Sequence, residues 1–338
     1  MAIRAVTLAD LAREAGTSRS TASRALNGRG YVSAPARARL LAAADRLGYV
    51  PNASARTLKQ QTSRVVGVVV TDLGNEFYAR LASGIEQILR DADYQMVLVA
   101  DNSDSEQELR GIRTFLAMRA AGVILTPANH APSSLLARHG VWTVEVDRRL
   151  ATVPCDAVVV DNEGGARTAT AHLLELGHRR IGLLAADTDW TTDAGRVAGY
   201  RMAHADSGVP VDERLIVRIA FHAPDTAEKI DALLDNGVPT AIFAANNSLA
   251  EAAWNAIRRR ELVLPRDMSL VGFDDVPWMT MVDPGITAIA QPTVEMGRRA
   301  AALLVRRVDD PERDPRVELL DPDLVVRGSS GPPAPRVA

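Results

Sequence analysis

Residues 6–49 read VTLADLAREAGTSRSTASRALNGRGYVSAPARARLLAAADRLGY, and three helical patterns lie in that stretch, each closed by a helix breaker. Thr7 is placed to cap the first, whose apolar residues Leu8, Leu11, Ala12 and Ala15 recur at helical spacing. Asp10 falls in the first turn, where a carboxylate complements the helix dipole, and Gly16 supplies the left-handed conformation that ends the helix. Ser18 caps a second helix running to Leu26, with Ala22, Ala25 and Leu26 inward and Asn27-Gly28 closing it. Ser33 opens a third, with Pro35 in the first turn, where a missing N–H costs little. Leu40, Leu41, Ala44 and Leu47 form its buried stripe, and Gly48 ends it. The tight connection between the first two helices is that of a helix-turn-helix, whose second helix enters the DNA major groove by its N-terminal part. Here that part turns Arg19, Ser20 and Arg24 outward, with Thr21 and Ser23 between them. Arg can bridge guanine O6 and N7, and Ser can meet several base edges. Thr7, Ser23, Asn27, Ser33 and Tyr49 are candidate phosphate contacts, which position a head without reading sequence. A three-helix packing unit with no nucleic-acid role would share this pattern.

Charge bears on both readings, since a basic face meets either a polyanion or solvent. Residues 1–64 carry eleven Lys/Arg against three acids, a net +8, whereas the remaining 274 residues carry 28 basic and 39 acidic side chains, a net −11. The overall −3 therefore conceals a basic head on an acidic body, the distribution expected when only the head meets a polyanion. A composition of 47% hydrophobic and 24% charged residues excludes disordered and fibrous classes, and 338 residues predict two domains or more. No run of about 18 apolar residues occurs and the first residues have no signal-peptide character, so a soluble cytoplasmic protein without membrane contact is expected. One cysteine, Cys155, excludes both a disulfide framework and a cysteine-based structural zinc site.

After Tyr49-Val50-Pro51, Asn52 can cap one more short helix, ASARTLK, in which Leu58 is the one large apolar residue. A helix that short forms only against a partner. With these residues in view, the run from Val6 to Lys59 closely resembles the head and hinge of the lactose-repressor (LacI/GalR) family of transcription regulators. The family pattern VT-x-x-D-x-A-x-x-A-G-x-S, T-x-S-R-x-L-N, V-S and Y-x-P-N-x-x-A-R-x-L is nearly all present. The resemblance implies that Arg19, Ser20 and Arg24 read bases. It also implies that residues 52–59, with Asn52, Ala55, Leu58 and Lys59 toward DNA, form a hinge helix whose Leu58 wedges open a minor-groove base step.

From residue 65 onward, β-branched runs alternate with helical patterns. Strands are predicted at 65–71, 95–100, 122–126, 142–146, 157–160, 181–185, 215–219, 240–245, 269–273 and 286–291. Helices are predicted at 76–92, 105–120, 163–176, 194–207, 225–236, 248–260 and 293–308. Such alternation means parallel sheets covered by helices, and ten strands exceed one sheet of usual size. The fold class expected is a small all-α helix-turn-helix head plus an α/β two-lobed domain with parallel sheets, and the family resemblance makes that domain periplasmic-binding-protein-like. It further implies three crossings between the lobes, near residues 161, 292 and 322. The domains are read as 1–50 (head), 51–64 (hinge helix and linker) and 65–338 (effector-binding and dimerisation domain).

Ligands of such sheets bind at the carboxyl ends of strands. Phe77 and Tyr78 follow the first strand in VVVTDLGNEFYARL, which resembles the family's D-x-x-N-P-F-F/Y with Glu76 in place of Pro; their rings can stack on a ligand or pack a helix. Asp147 and Arg148 end a strand and resemble the family's V-D-R. Trp190, Thr192 and Arg196 share the loop and helix start of DTDWTTDAGRVAGYR, where the family places a ligand contact at the Arg196 position. Phe221 follows another strand. Asn246 lies in AIFAANNSLA, where Asn247 replaces the family's usual Asp, and Asp274 and Asp275 with nearby Trp278 follow the strand of SLVGFDDVPW. Carboxylates accept, guanidinium donates, amide does both, and aromatic faces suit a sugar first and a nucleobase or nucleoside second. No P-loop, HExxH or CxxC occurs, and the six histidines have no ligand spacing, so no metal or cofactor is expected; His178 in LGHRRIGLLA reads as structural. The reading is a ligand-responsive repressor, not an enzyme, sensing a sugar or sugar derivative and acting as a homodimer on a pseudo-palindromic double-stranded operator. Its rivals are a solute-binding protein and a sugar-converting enzyme on the same fold.

Overall fold

The computed structural model describes residues 6–27, 30–49, 63–221, 223–235 and 239–334, and the chain divides into two compact units, Met1–Ser63 and Arg64–Ala338. Among its described residues the first unit holds three helices, α1 (Leu8–Glu14), α2 (Arg19–Asn27) and α3 (Ala34–Leu47). Thr7 and Asp10 form a reciprocal capping box on α1, the Thr7 hydroxyl accepting from the Asp10 N–H and the Asp10 carboxylate from the Thr7 N–H. Ser18 Oγ accepts from Thr21 N at 3.1 Å and so opens α2. Ser33 precedes α3 without a side-chain cap, and Gly48, at φ +59°, ends it in the left-handed region. Leu11, Ala12, Ala22, Ala25, Leu40 and Ala43 make the core, with Leu8, Leu26, Leu47 and Tyr49 packed around it. Leu41, expected in the buried stripe, is instead 50% exposed, because Ala43 takes the inward position one turn beyond Leu40.

The second unit contains two six-stranded sheets. The first is built from β1 (Val65–Val70), β2 (Gln95–Ala100), β3 (Gly122–Leu125), β4 (Trp142–Asp147), β5 (Asp156–Val160) and β11 (Val317–Leu320), in the order β11-β5-β4-β3-β1-β2. The second is built from β6 (Ile181–Ala186), β7 (Ile216–Ile219), β8 (Ala241–Ala244), β9 (Ser269–Phe273), β10 (Thr287–Ala290) and β12 (Asp323–Val325), in the order β12-β10-β9-β8-β6-β7. One order maps onto the other, β1–β5 onto β6–β10, so the lobes repeat one design. All pairings are parallel except that of β10 with β12. Central strands such as β6, IGLLAA, are buried along their whole length, as strands covered on both faces must be.

Helices α4 (Glu76–Asp91), α5 (Ser105–Ala117), α6 (Ala131–Arg138) and α12 (Thr293–Asp309) cover the first lobe. The second carries α7 (Asn162–Glu175), α8 (Thr191–Asp206), α9 (Thr226–Asp235), α10 (Asn247–Arg259) and α11 (Trp278–Met281). Two helix pairs pack backbone to backbone through glycine: a Cβ on Gly84 of α4 would lie 2.1 Å from Val294 O, and one on Gly199 of α8 would lie 2.1 Å from Glu163 O. The chain crosses between lobes at residue 161, at 291–292 and at 321–322, because α7 follows β5, α12 follows β10, and β12 follows β11. His178 is buried and bonds Thr240 Oγ1, Ser269 Oγ and Gly331 O, tying the second sheet to the C-terminal segment, while burial lowers its affinity for a proton. The ten strands read from sequence are present within a residue or so. Four elements were not read there: α6, α11, β11 and β12.

Candidate functional site

The carboxyl ends of both sheets face a cavity between the lobes. The first lobe contributes Asn75, Phe77 and Tyr78 from the turn after β1 and the start of α4, and Asp147 and Arg148 from the end of β4. The second contributes Trp190, Thr192, Asp193 and Arg196 after β6, Phe221 after β7, Asn246 and Ser248 after β8, Asp274 after β9 and Gln291 after β10. Asp147 and Asp274 stand at matching positions of the repeat, each at φ +73°. Non-glycine residues held in the left-handed region are uncommon, and such strain concentrates where a side chain must be aimed.

Arg196, Arg148 and Asp274 are held by neutral partners. Arg196 donates from Nε to Asn162 Oδ1 at 2.9 Å and from Nη1 to Ala245 O at 2.6 Å, and its guanidinium lies 3.8 Å from the centre of the Phe273 ring. Two of its five donors are thereby used. Arg148 donates to Thr71 Oγ1 and stacks 3.4 Å over the Trp190 ring, leaving its buried Nε with no hydrogen bond among the described residues. Asp274 accepts from Asn247 N and Nδ2 and from Gln291 Nε2. Burial pushes the Asp147 carboxyl up to about 6 against the pull of Arg148 and Arg196, with Asp274 and Asp193 adding to the rise. Burial likewise raises the Tyr78 phenol.

Several bonds join the lobes across this cavity. Trp190 Nε1 donates to Ala128 O at 3.2 Å, and Asn247 Nδ2 donates to Asn75 Oδ1 at 3.0 Å. Arg149 N donates to Thr191 Oγ1 and Arg80 Nη1 to Asp275 O, both at 3.3 Å. Asn247, where the resembling family has Asp, leaves helix capping to its neighbour: Asn246 Oδ1 accepts from Leu249 N at 2.8 Å. Its own amide bridges Asn75 and Asp274.

The structure thus brings together nine of the ten residues expected to meet an effector: Phe77, Tyr78, Asp147, Trp190, Thr192, Arg196, Phe221, Asn246 and Asp274. Trp278 is the exception. It starts the four-residue α11, and its ring lies 5.9 Å from that of Trp254, against the apolar cluster of Ile257, Leu264 and Met279 rather than in the cavity. Arg148, named beside Asp147 at the strand end, also lines the cavity, and Asn75, Asp193, Ser248 and Gln291 join it without a sequence expectation. Gln291 carried a sequence signal, standing at a strand end just before Pro292.

On the head, Arg19, Ser20 and Arg24 are exposed on α2, and Arg24 Nε donates back to Ser20 O at 3.3 Å. Thr7 and Ser33 are exposed and Ser23 is half-buried, while Tyr49, also half-buried, packs on the head core. Asn27 is the last residue of α2. Asn52, Ala55, Leu58 and Lys59 lie outside the described residues.

Residues 7–52 match the family described as bacterial regulatory proteins, lacI family, and residues 170–330 match a periplasmic binding protein-like domain. The HTH-type transcriptional regulator DegA of Bacillus subtilis (strain 168) is 32% identical over 331 residues, spanning 96% of this chain and 98% of that protein. The chain belongs to the LacI family. Among solved structures of LacI-like architecture, the transcriptional regulator CelR–cellobiose complex is 32% identical with a TM-score of 0.72, over 96% of this chain and 99% of that one. The lac repressor dimer bound to operator and the anti-inducer ONPF is 26% identical with a TM-score of 0.84, over 97% and 100% of the two chains. The protein is accordingly a ligand-responsive, sequence-specific DNA-binding transcription regulator, and its near relatives are regulators rather than enzymes. No described helix is long and apolar enough to cross a membrane.

Proposed function

We propose that the chain is a cytoplasmic, non-enzymatic repressor that binds a single-ring sugar or sugar derivative between its lobes and acts as a homodimer on a pseudo-palindromic operator. The observation that carries the sugar reading is the cavity lining, in which Asp147, Arg196, Asn246 and Asp274 converge beside Trp190 and Phe221. Hydroxyls both donate and accept, so a polyhydroxyl ring answers carboxylate, guanidinium and amide together while its C–H face lies on an aromatic ring. The cavity measures about 230 Å³, room for a sugar ring among these groups. CelR takes the disaccharide cellobiose, so a monosaccharide would set this chain apart from that relative. The lac repressor's dimer on operator supports the two-fold arrangement, in which Arg19, Ser20 and Arg24 of each copy read one half-site.

Effector binding would alter how the lobes are inclined, and so the spacing of two hinge segments at residues 51–64. A helix as short as 52–59 is marginal alone, so a small displacement decides whether it folds on DNA. The test is fluorescence anisotropy with the DNA upstream of the protein's own gene, over a salt series and then a monosaccharide panel. Tight binding that weakens steeply with salt and responds to one sugar is the expected result. Specific binding that no sugar alters overturns the sugar assignment, and absence of specific binding overturns the operator assignment.

A further inference from the structure

Five charged side chains line the cavity, Asp147, Arg148, Asp193, Arg196 and Asp274, each at most 7% exposed, and their formal charges sum to −1. Two of the three carboxylates are already served: Asp274 by the Asn247 and Gln291 donors, and Asp193 by the Thr188 hydroxyl at 2.6 Å. Asp147 differs. Among the described residues it accepts no hydrogen bond and makes no ion pair within 4 Å, although it is only 6% exposed and lines the cavity. Arg148 and Arg196 are near enough to act on its charge, yet each is tied elsewhere, Arg148 to Thr71 and the Trp190 face, Arg196 to Asn162, Ala245 and the Phe273 face. Its oxygens open onto the cavity, and the residue is held at φ +73° with the cavity in front of it, an acceptor left for a ligand.

We infer that the effector carries a cationic nitrogen, a single-ring amino sugar whose ammonium group pairs with Asp147. The inference rests on the sugar reading above and narrows it. A neutral hydroxyl would give Asp147 a hydrogen bond and leave the cavity at −1; an ammonium gives the bond and balances the charge, and a charge-assisted bond is about twice as strong as a neutral one. Of the groups acting on Asp147, Arg148 and Arg196 oppose its charge while Asp193 and Asp274 add to it and the Tyr78 phenol is neutral, so the set stays at −1.

The test is isothermal titration of the full chain at pH 7.0 with matched monosaccharide pairs that differ only in hydroxyl or amine at one carbon: glucose and glucosamine, galactose and galactosamine, mannose and mannosamine. The amino member of one pair is expected to bind at least tenfold tighter. In Asp147→Asn, which accepts the left-handed backbone as Asp does, both members lose an acceptor, and the affinity ratio between the amino member and its neutral twin should fall at least tenfold relative to the parent. Asp147→Glu, which keeps the charge, should retain the preference. Neutral members binding as tightly as their amino twins, or a preference that survives in Asp147→Asn, overturns the inference and leaves the sugar reading standing. If no member of any pair binds, the sugar reading falls and takes this inference with it.

Discussion

Trp190 spans the gap between the lobes in two ways, and replacing it with phenylalanine removes mainly one of them. The indole N–H donates to Ala128 O across the cleft, and its ring carries the Arg148 guanidinium at 3.4 Å. Trp190→Phe keeps an aromatic face for both Arg148 and a ligand but deletes the donor. A net hydrogen bond contributes about 0.5–1.5 kcal/mol, and exchanging indole for the weaker phenyl partner costs about 0.5 kcal/mol of cation–π attraction. The bridged form should therefore lose about 1–2 kcal/mol, or about 5–30-fold in population against a form with the lobes apart. An effector that needs both lobes binds in proportion to the fraction bridged, so its Kd should rise by the same factor where the bridged form is the minor one in the free chain and by less where it predominates. Titration calorimetry with whichever sugar the panel selects measures this. Hydrogen exchange at residues 127–130 gives a second readout, since that segment should open faster. A Kd within twofold of the parent, with unchanged exchange there, would refute the view that Trp190 holds the lobes together.

Three further outcomes are expected. Arg24→Ala should cost about 1–3 kcal/mol of operator affinity and relax discrimination at one base pair, measured against single-base operator variants; a uniform loss on all sequences would make Arg24 a phosphate contact. Leu58→Gly should weaken operator binding while effector titrations stay unchanged, and undiminished operator affinity would sink the hinge role. Glu108 is buried and accepts from Ala128 N and Asn129 Nδ2, and burial pushes its carboxyl up to about 8, against about 4.3 unfolded. The folded chain therefore binds that proton more tightly than the unfolded chain. Stability should fall as pH rises from about 5 to 8.5 in urea denaturation, and Glu108→Gln should flatten the slope; an identical slope in the variant would count against Glu108 as its source.

Sequence carried the fold far because its signals are local. Thr7, Asp10 and Ser18 cap helices by bonds within four residues, and the buried strands are continuous apolar runs that admit few other readings. Elements missed are those whose reason is tertiary. Strand β11 (VELL) is a sheet edge with Val317 49% and Leu319 61% exposed, so no apolar run announces it, and β12 has three residues. Helix α6 begins in APSS, which reads as a loop until its Ser133 is seen donating to the buried Glu145. The cavity residues after strands were legible because strand ends in such sheets must face ligand. Trp278 misled for a related reason: nothing in four residues says which way a short helix sends its ring, and packing on Trp254 decided it. Asn75 needed the second lobe in place before its bond to Asn247 across the gap had meaning.

The three crossings at 161, 291–292 and 321–322 run side by side between sheets of the same strand order. Three parallel tethers behave as a door's hinge pins do. They permit swinging about the line that joins them and resist both twisting and sliding. A ligand between the lobes can consequently convey little more than an angle, and whatever reads the signal need distinguish only how far the door stands open. Cutting any one tether would leave the leaf hung on the other two, so a protease nick at a single crossing should loosen the swing without parting the lobes.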